Sequence, residues 1–311
     1  MKILIGCRTF VFAILLFCIG FGLTAQAQEV GVAGWAGRAA HTDRYWVYPD
    51  RVYGQQSGQA LKLDVWKPYD SKAPAPTVIY FHGGGWLFGE RSGAVPFFLP
   101  YIEMGWNVVN VEYRMSGTAL APAAVEDCRC ALRWVIRNAK EYNIDTNRLV
   151  VTGHSAGGHL ALMTALLTPE AGLDRNCPGT EELKVAAVVN WYGPTDVADL
   201  IDGRNEKDYA VSWLGSLPNR AAVAQRVSPL TYVHSGAPPI ITVHGDKDAV
   251  VPYAHAVRLH DALKKAGVVN ELVTLSGAGH GMFTPEQGQA AYTKVLTFLK
   301  AHMDVSVKQK K

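Results

Sequence analysis

The feature that most constrains this chain is the sequence VVTGHSAGG at residues 150–158. β-forming residues precede it and an apolar, helix-favouring run over 159–167 follows it, which predicts a strand, a sharp turn and a helix. Gly153 and Gly157 flank Ser155, and glycines let a strand and a helix approach closely around a serine on a strained turn. A serine that only caps an ordinary helix is the alternative. The strand-to-helix context favours a nucleophilic Ser155 beside the free N–H groups of a helix N-terminus.

The N-terminal 27 residues have the features of a secretory signal peptide. Lys2 and Arg8 precede an almost unbroken apolar run over residues 9–23, and the AQA at 25–27 fits a cleavage site. Because the apolar run is short for a membrane span, we expect cleavage after Ala27, export, and no stable membrane insertion afterwards. An uncleaved anchor is the alternative.

The rest of the chain is expected to form a single domain. Its 311 residues, 49% of them apolar, are enough for a sizeable core, and we find no internal repeat or low-complexity linker. We expect a leader over 28–50, the domain over 51–303 and a basic tail over 304–311. The net charge is only +3 and no basic run precedes that tail, so a nucleic-acid partner is not expected.

Three cysteines remain after removal of the signal peptide: Cys128, Cys130 and Cys177. Cys128 and Cys130 lie two residues apart on a predicted helix and point in different directions, so they should not pair with each other. A bridge from either one to Cys177 is compatible with an oxidising compartment. Three unpaired thiols are the alternative.

Strand-like and helix-like segments alternate along the chain. This alternation predicts an α/β fold with a mainly parallel, doubly wound sheet and helices on both faces. Residues 192–238 should form a small lid over the site, without room for a large cap domain. The segments expected are a hairpin (51–53 and 61–66), strands (77–81, 106–111, 149–152, 185–191, 239–243 and 270–275) and helices (94–104, 121–142, from 159 onward, 253–266 and 285–302).

A nucleophilic serine needs a base, and the base needs an orienting carboxylate. Such groups gather beyond the carboxyl ends of parallel strands, and this rule selects His280, in the glycine-rich loop after the last predicted strand. The loop after the preceding strand offers Asp246 and Asp248. We choose Asp248, because Asp246 lies closer to the turn and is expected to cap backbone N–H groups. His244 ends that strand and is expected to support the site.

An oxyanion hole needs two fixed N–H donors. One is expected from Ala156, the residue after Ser155. The other is expected from Gly84 or Gly85 in the HGGGW sequence that follows strand 77–81, because glycines leave backbone N–H groups unobstructed.

We predict the roles of four further side chains near these motifs from their position in the sequence. Trp86 and Trp191 are candidates for the walls of a substrate pocket, with a place in the core as the alternative. His154 and His159 are expected to pack around the turn and to take no part in catalysis.

These motifs together resemble those of an α/β-hydrolase esterase, over about residues 60–302. The closest resemblance is to the hormone-sensitive-lipase-like carboxylesterases and to the neighbouring feruloyl or acetyl-xylan esterase-like (BD-FAE) branch. The lipase-like group usually has Asp where His154 stands, so the second branch is favoured. The resemblance implies the α/β-hydrolase fold and the chain order Ser155, Asp248, His280, and it supports the choice of Asp248. The motifs that carry it are HGGGW (82–86), EYR (112–114), ED (126–127), GHSAGG (153–158), HGDKD with VP (244–248 and 251–252) and GHG (279–281).

The family also implies a function, the hydrolysis of short-chain or aromatic carboxylic esters, including acetyl or feruloyl esters of carbohydrates. No phosphate-binding, dinucleotide-binding or H-E-x-x-H motif is found, so no cofactor or metal is expected. An amide hydrolase of the arylformamidase or peptidase type is the alternative within enzymes. A non-catalytic α/β-hydrolase used as a binding module is the alternative outside them.

Overall fold

The computed structural model describes residues 44–216 and 218–303. The predicted signal peptide (1–27), most of the predicted leader and the basic tail lie outside the described residues. Within them, eight strands form one sheet, in the order β1-β2-β4-β3-β5-β6-β7-β8. The strands are β1 Tyr45–Gln56, β2 Gln59–Pro68, β3 Ala75–Phe81, β4 Asn107–Val111, β5 Ile144–His154, β6 Ala187–Trp191, β7 Ile240–Gly245 and β8 Asn270–Leu275.

The sheet is mainly parallel, which confirms the predicted fold class. β1 pairs antiparallel with β2 and β2 pairs antiparallel with β4, whereas every pairing from β4 to β8 is parallel. The predicted hairpin is present, but its first strand begins at Tyr45. Residues 45–50, which the sequence analysis placed in the leader, therefore belong to the sheet.

Helices cover both faces of the sheet because the central strands are apolar on both sides. They are α1 Val95–Glu103, α2 Ala123–Arg137, α3 Ala139–Tyr142, α4 Ala156–Leu166, α5 Asp208–Leu214, α6 Arg220–Arg226, α7 Ala254–Lys265 and α8 Pro285–His302. In β3, Val78 and Tyr80 belong to one buried cluster, together with side chains of α1 and α8. Ile79 and Phe81 belong to the other, with side chains of α2, α4 and α7.

The single helix predicted over 121–142 is two helices. α2 ends at Arg137 and α3 begins at Ala139, because Asn138 leaves the helical backbone conformation between them. The Asn138 side chain donates to Trp134 O at 2.8 Å, a local bond that competes with the helical ladder.

The segment between β6 and β7 contains short helices and turns. α5, α6 and three 3₁₀ turns lie there, and α5 reaches the edge where the parallel strands end. Trp213 of α5 stacks on Trp86 at 4.0 Å between ring centroids, and Tyr209 of α5 lies against the same indole. This segment is therefore a small cover seated on the loop after β3. None of the described helices is long and apolar enough to cross a membrane.

One disulfide bond joins Cys130 of α2 to Cys177 in the loop before β6, with 5.5 Å between their Cα atoms. Cys128 is buried and unpaired. Cys128 and Cys130 both lie on α2, but only Cys130 points toward the loop that carries Cys177. Of the pairings left open by the sequence, the structure has Cys130–Cys177.

This bond closes a loop with a sequence separation of 47 residues, which restricts the unfolded chain. We predict that the double variant Cys130→Ala/Cys177→Ala loses about 2 to 4 kcal/mol of unfolding free energy, measured by urea unfolding. A reductant should lower the unfolding midpoint of the parent protein and leave that of the double variant unchanged. A parent protein whose midpoint does not respond to reductant would contradict the pairing.

Candidate active site

The turn between β5 and α4 holds Ser155 in an unusual backbone conformation, φ 56° and ψ −120°. Such a conformation costs a non-glycine residue about 1 to 3 kcal/mol, so close packing must impose it. A Cβ on Gly153 would lie 2.3 Å from Phe81 O, and one on Gly157 would lie 1.9 Å from the same oxygen. Only glycine fits at both positions, and the Ser155 N–H is held by Trp191 O at 2.9 Å.

The structure brings together the three side chains that the sequence analysis selected. His280 Nε2 lies 2.9 Å from Ser155 Oγ, and His280 Nδ1 lies 2.7 Å from Asp248 Oδ2. They come from the loops or turns after β8, β5 and β7, whose carboxyl ends meet at one edge of the sheet. The arrangement provides a hydroxyl, a base within reach of its proton and a carboxylate on the far side of that base.

Both oxygens of the Asp248 carboxylate accept hydrogen bonds. Oδ1 accepts the N–H groups of Val250 and Val251 at 2.8 and 2.9 Å. Oδ2 accepts from His244 Nε2 at 3.1 Å in addition to His280. Burial by itself raises the pKa of Asp248, but the hydrogen bonds from His244 and His280 outweigh it and hold the pKa well below the usual range. Asp248 is therefore ionised at neutral pH.

Asp246 caps a backbone N–H group, as expected. Its Oδ1 accepts the N–H of Gly277 at 2.7 Å, and the N–H of Lys247 donates to Ala278 O at 3.0 Å. These bonds tie the turn after β7 to the loop that carries His280. They fix the distance between the carboxylate and the imidazole.

The glycine loop after β3 passes directly over Ser155. A Cβ on Gly83 would lie 3.6 Å from Ser155 Cβ, and one on Gly84 (φ 116°) would lie 1.9 Å from Phe88 O. Gly84 and Gly85 both line the pocket beside Ser155 and Ala156, the position expected for oxyanion donors. Ala156 is the first residue of α4, where backbone N–H groups have no partner within the helix.

Polar contacts hold the ends of the glycine loop. Tyr113 donates its hydroxyl to His82 O at 2.7 Å. At the other end, Arg91 pairs with Glu112 at 3.1 Å, with Asp50 at 2.9 Å and with Asp64. The loop is thus fixed to β1, β2 and the segment after β4.

A cavity of about 520 Å³ opens beside Ser155. Nearly half of its lining residues are aromatic, and several of these lie outside the sequence motifs. Phe88 is 69% exposed and Phe97 43% exposed, so both stand at the rim. The aromatic residues that line the cavity are Tyr80, His82, Trp86, Phe88, Phe97, His154, Tyr192, Tyr209 and His280.

The two tryptophans expected in the pocket walls have different positions. Trp86 borders the cavity, but its side chain is fully buried against Trp213 and His159. Trp191 does not border it and instead stacks behind His154 at 5.1 Å. The prediction of Trp191 as a pocket wall is wrong, because the residue at the end of β6 points into the layer under the cavity.

His154 and His159 pack around the turn, as expected. His154 Nδ1 shares a hydrogen bond with the Tyr80 hydroxyl at 2.9 Å, and His159 Nε2 donates to Val227 O at 2.6 Å. Burial lowers the pKa of His154 to about 3 and that of His159 to about 4. Both imidazoles are therefore neutral above pH 5, and His154 offers the cavity a neutral polar group.

A family model named BD-FAE matches residues 63–263 of this chain. The chain belongs to the BD-FAE family. The match covers the glycine loop, the turn with Ser155 and the turn with Asp248, and it ends before the loop that carries His280.

Individual relatives of this BD-FAE protein are esterases. Esterase LipQ of Mycobacterium tuberculosis is 34% identical over 239 residues, which are 70% of this chain and 55% of LipQ. Esterase LipC of the same organism is 28% identical over 287 residues, 83% of this chain and 70% of LipC. The chain thus spans about half the length of LipQ.

Solved structures of similar fold include an esterase, Est2, from Thermogutta terrifontis. It has a TM-score of 0.72 and 26% identity, and the match covers 86% of this chain and 96% of Est2. Est2 has also been solved with butyrate bound and phosphorylated by paraoxon. A carbohydrate esterase from gut microbiota, at 24% identity and a TM-score of 0.72 over 85% of this chain and 98% of that one, shares the fold.

Most of the residues in the cavity walls were not predicted from the sequence. Tyr80 lies near the end of β3, Phe97 on α1, Tyr192 after β6 and Tyr209 on α5. Each sits in a segment whose apolar pattern indicates only burial. The one available signal was that Tyr80 and Tyr192 lie at the carboxyl ends of strands, where parallel sheets place their sites.

The low pKa of His159, about 4, makes stability depend on pH. Between pH 6.5 and about 4 the unfolded chain binds a proton at this residue and the folded protein does not, so the unfolding free energy falls as pH falls. We predict that His159→Gln, which keeps a donor for Val227 O, reduces this slope by up to about 1.4 kcal/mol per pH unit. The measurement is urea unfolding at a series of pH values from neutral down to about pH 5.

His302→Gln is the control, since His302 is exposed in the folded protein. Its slope should equal that of the parent. Equal slopes for His159→Gln and the parent would mean that His159 takes up its proton without unfolding.

Proposed function

We propose that this protein is a serine carboxylesterase that hydrolyses short-chain or aromatic carboxylic esters through an acyl-enzyme. The observation that carries the proposal is the contact of Ser155 Oγ with His280 Nε2 at 2.9 Å, at the base of a cavity lined by glycines and aromatic rings. Membership of the BD-FAE family and the esterase names of LipQ, LipC and Est2 support it.

The proposed reaction begins when Ser155 Oγ attacks the ester carbonyl carbon and His280 Nε2 takes its proton. Asp248 keeps the hydrogen of the imidazole on Nδ1 and stabilises the imidazolium that forms. The carbon–oxygen bond to the alcohol then breaks, and the alcohol leaves with the proton from His280. Water repeats the sequence on the acyl-enzyme, which releases the acid and restores Ser155.

The negative charge that develops on the carbonyl oxygen needs N–H donors that are already in place. Ala156 at the start of α4 and Gly84 or Gly85 over Ser155 are the proposed donors. Each such donor contributes about 3 to 4 kcal/mol to the stabilisation of the transition state. Since a Cβ on Gly84 would overlap Phe88 O, a side chain at this position would displace the loop.

The walls of the cavity support the choice of substrate. Tyr80, Phe97, His154 and Tyr192 form an aromatic group on one side of Ser155, in which the rings of Phe97 and His154 lie 4.5 Å apart. Such rings bind a planar aromatic acid or a short acyl chain through apolar contact and stacking. We propose acetyl or feruloyl esters linked to carbohydrate as the natural class, in line with the name of the carbohydrate esterase that shares the fold.

A series of p-nitrophenyl esters from acetate to octanoate, measured beside methyl ferulate, tests this function. We predict Ser155-dependent hydrolysis that is fastest with acetate to butyrate or with ferulate, because aromatic rings form much of the cavity wall beside Ser155. Ser155→Ala should reduce kcat by at least about 10³-fold without loss of folded structure, since alanine removes only the Oγ atom.

The remaining outcomes of this assay separate the alternatives. Turnover that rises steadily toward octanoate would contradict the short-chain assignment. A folded protein that cleaves anilides or formamides but no ester would make it an amide hydrolase. A protein with no turnover, whose affinity for esters is the same in the parent and in the Ser155→Ala variant, would be a binding module.

We also propose that the protein is exported and that its signal peptide is cleaved after Ala27. The sequence of residues 1–27 and the Cys130–Cys177 bond support this location. We predict that the secreted protein from a bacterial host begins at Gln28, as measured by intact mass and N-terminal sequencing. Recovery of the full-length chain from the membrane fraction alone would indicate an uncleaved anchor instead.

A further inference from the structure

Asp248 has a second imidazole partner besides His280. His244, near the carboxyl end of β7, is fully buried. Its Nε2 lies 3.1 Å from Asp248 Oδ2 and 3.1 Å from Val251 O. A carbonyl oxygen only accepts, so Nε2 must carry a hydrogen and must direct it at both oxygens. The contacts thus fix the tautomer of His244 with its hydrogen on Nε2.

This single imidazole supports both oxygens of the carboxylate. Its contact with Oδ2 is direct. Its contact with Val251 O holds the residue whose N–H donates to Asp248 Oδ1 at 2.9 Å. In the described part of the chain, His244 and His280 are the two side chains that hydrogen-bond to Asp248.

The other polar and charged groups around Asp248 stand farther away. The charge of the carboxylate acts on the Tyr192 and Tyr209 phenols, but neither phenol forms a hydrogen bond with it. Lys207 donates to Ala249 O. The rings of Tyr253 and His244 are perpendicular, with 5.7 Å between their centroids. None of these groups supplies a second donor to Oδ2.

We propose that His244 is a positioning residue for the reaction, one that holds the Asp248 carboxylate toward His280 and reduces the negative charge that it presents. The inference rests on the proposed function, since it requires Ser155, His280 and Asp248 to act as one unit. Loss of this donor leaves more charge on Oδ2, which favours the protonated form of His280. Base catalysis should then fail at a higher pH than in the parent protein.

The test uses phosphorylation of Ser155 by paraoxon, which does not require the natural substrate to be known. Ser155 Oγ bonds to phosphorus, p-nitrophenolate leaves with the electron pair of its bond, and the serine proton passes to His280. The release of p-nitrophenolate gives the rate at each pH. This rate depends on the base and its carboxylate but not on ester specificity.

We predict that His244→Leu slows phosphorylation about tenfold on the pH plateau, as expected for one lost hydrogen bond to a charged group. The acid limb of its pH–rate profile should move about half a unit toward higher pH. His244→Gln should restore both values toward those of the parent, because the glutamine amide can place an N–H where Nε2 stands.

The matched control is His260→Leu. His260 is a buried imidazole on α7 that bonds to Asn270 Oδ1 at 2.9 Å, away from Ser155. Its replacement removes a buried histidine and one hydrogen bond, but it should leave the plateau and the acid limb unchanged.

A His244→Leu profile that matches the parent, or an acid limb that moves to lower pH, would overturn the inference. So would a His244→Gln variant as slow as the leucine variant. If His244→Leu does not fold, His244→Asn replaces it, since the shorter amide cannot reach Oδ2 and should be slow. Failure of the proposed function would be seen separately, as a parent protein that reacts with paraoxon but hydrolyses no carboxylic ester.

Discussion

The close approach of the end of β3 to the turn around Ser155 is the contact on which the rest of the site depends. The carbonyl oxygen of Phe81 is too close for a side chain on either glycine: a Cβ on Gly153 would lie 2.3 Å from it, and a Cβ on Gly157 would lie 1.9 Å from it. This contact forces β5 and α4 to meet without side chains between them, and it holds Ser155 at φ 56°. Because the glycine loop follows Phe81, this contact also places the start of that loop directly beside the serine. One backbone approach therefore positions Ser155 and the proposed oxyanion donors together.

The second half of the site is built from turns that are tied to each other. Asp248 receives hydrogen bonds from two imidazoles and two backbone N–H groups, and Asp246 joins its turn to the loop of His280. A buried carboxylate without donors would take up a proton. The donors around Asp248 keep it charged in a place from which water is largely excluded, and that charge orients His280.

The sequence predicted which polar side chains meet at the site better than it predicted the cavity walls around them. Ser155, Asp248 and His280 could be selected because each lies in a local motif directly after a predicted strand, and strand order alone brings such positions together. The choice of Cys130 over Cys128 depends on the rotation of α2, which local sequence does not determine. The true place of Trp191 could not be predicted either, since apolar residues in a buried strand indicate burial on both faces but not which layer they face.

The small cover formed after β6 connects the cavity wall with the proposed oxyanion loop. Trp86, the residue after Gly85, stacks on Trp213 of α5, and Tyr209 of the same helix lies 3.1 Å from the place of a Cβ on Gly85. The Tyr209 hydroxyl also donates to Val250 O at 3.1 Å, close to Asp248 in the chain. A change in α5 that widens the cavity would therefore also move the glycine loop and the turn of the carboxylate. In this fold, the residues that shape the pocket and those that hold the charges are not independent.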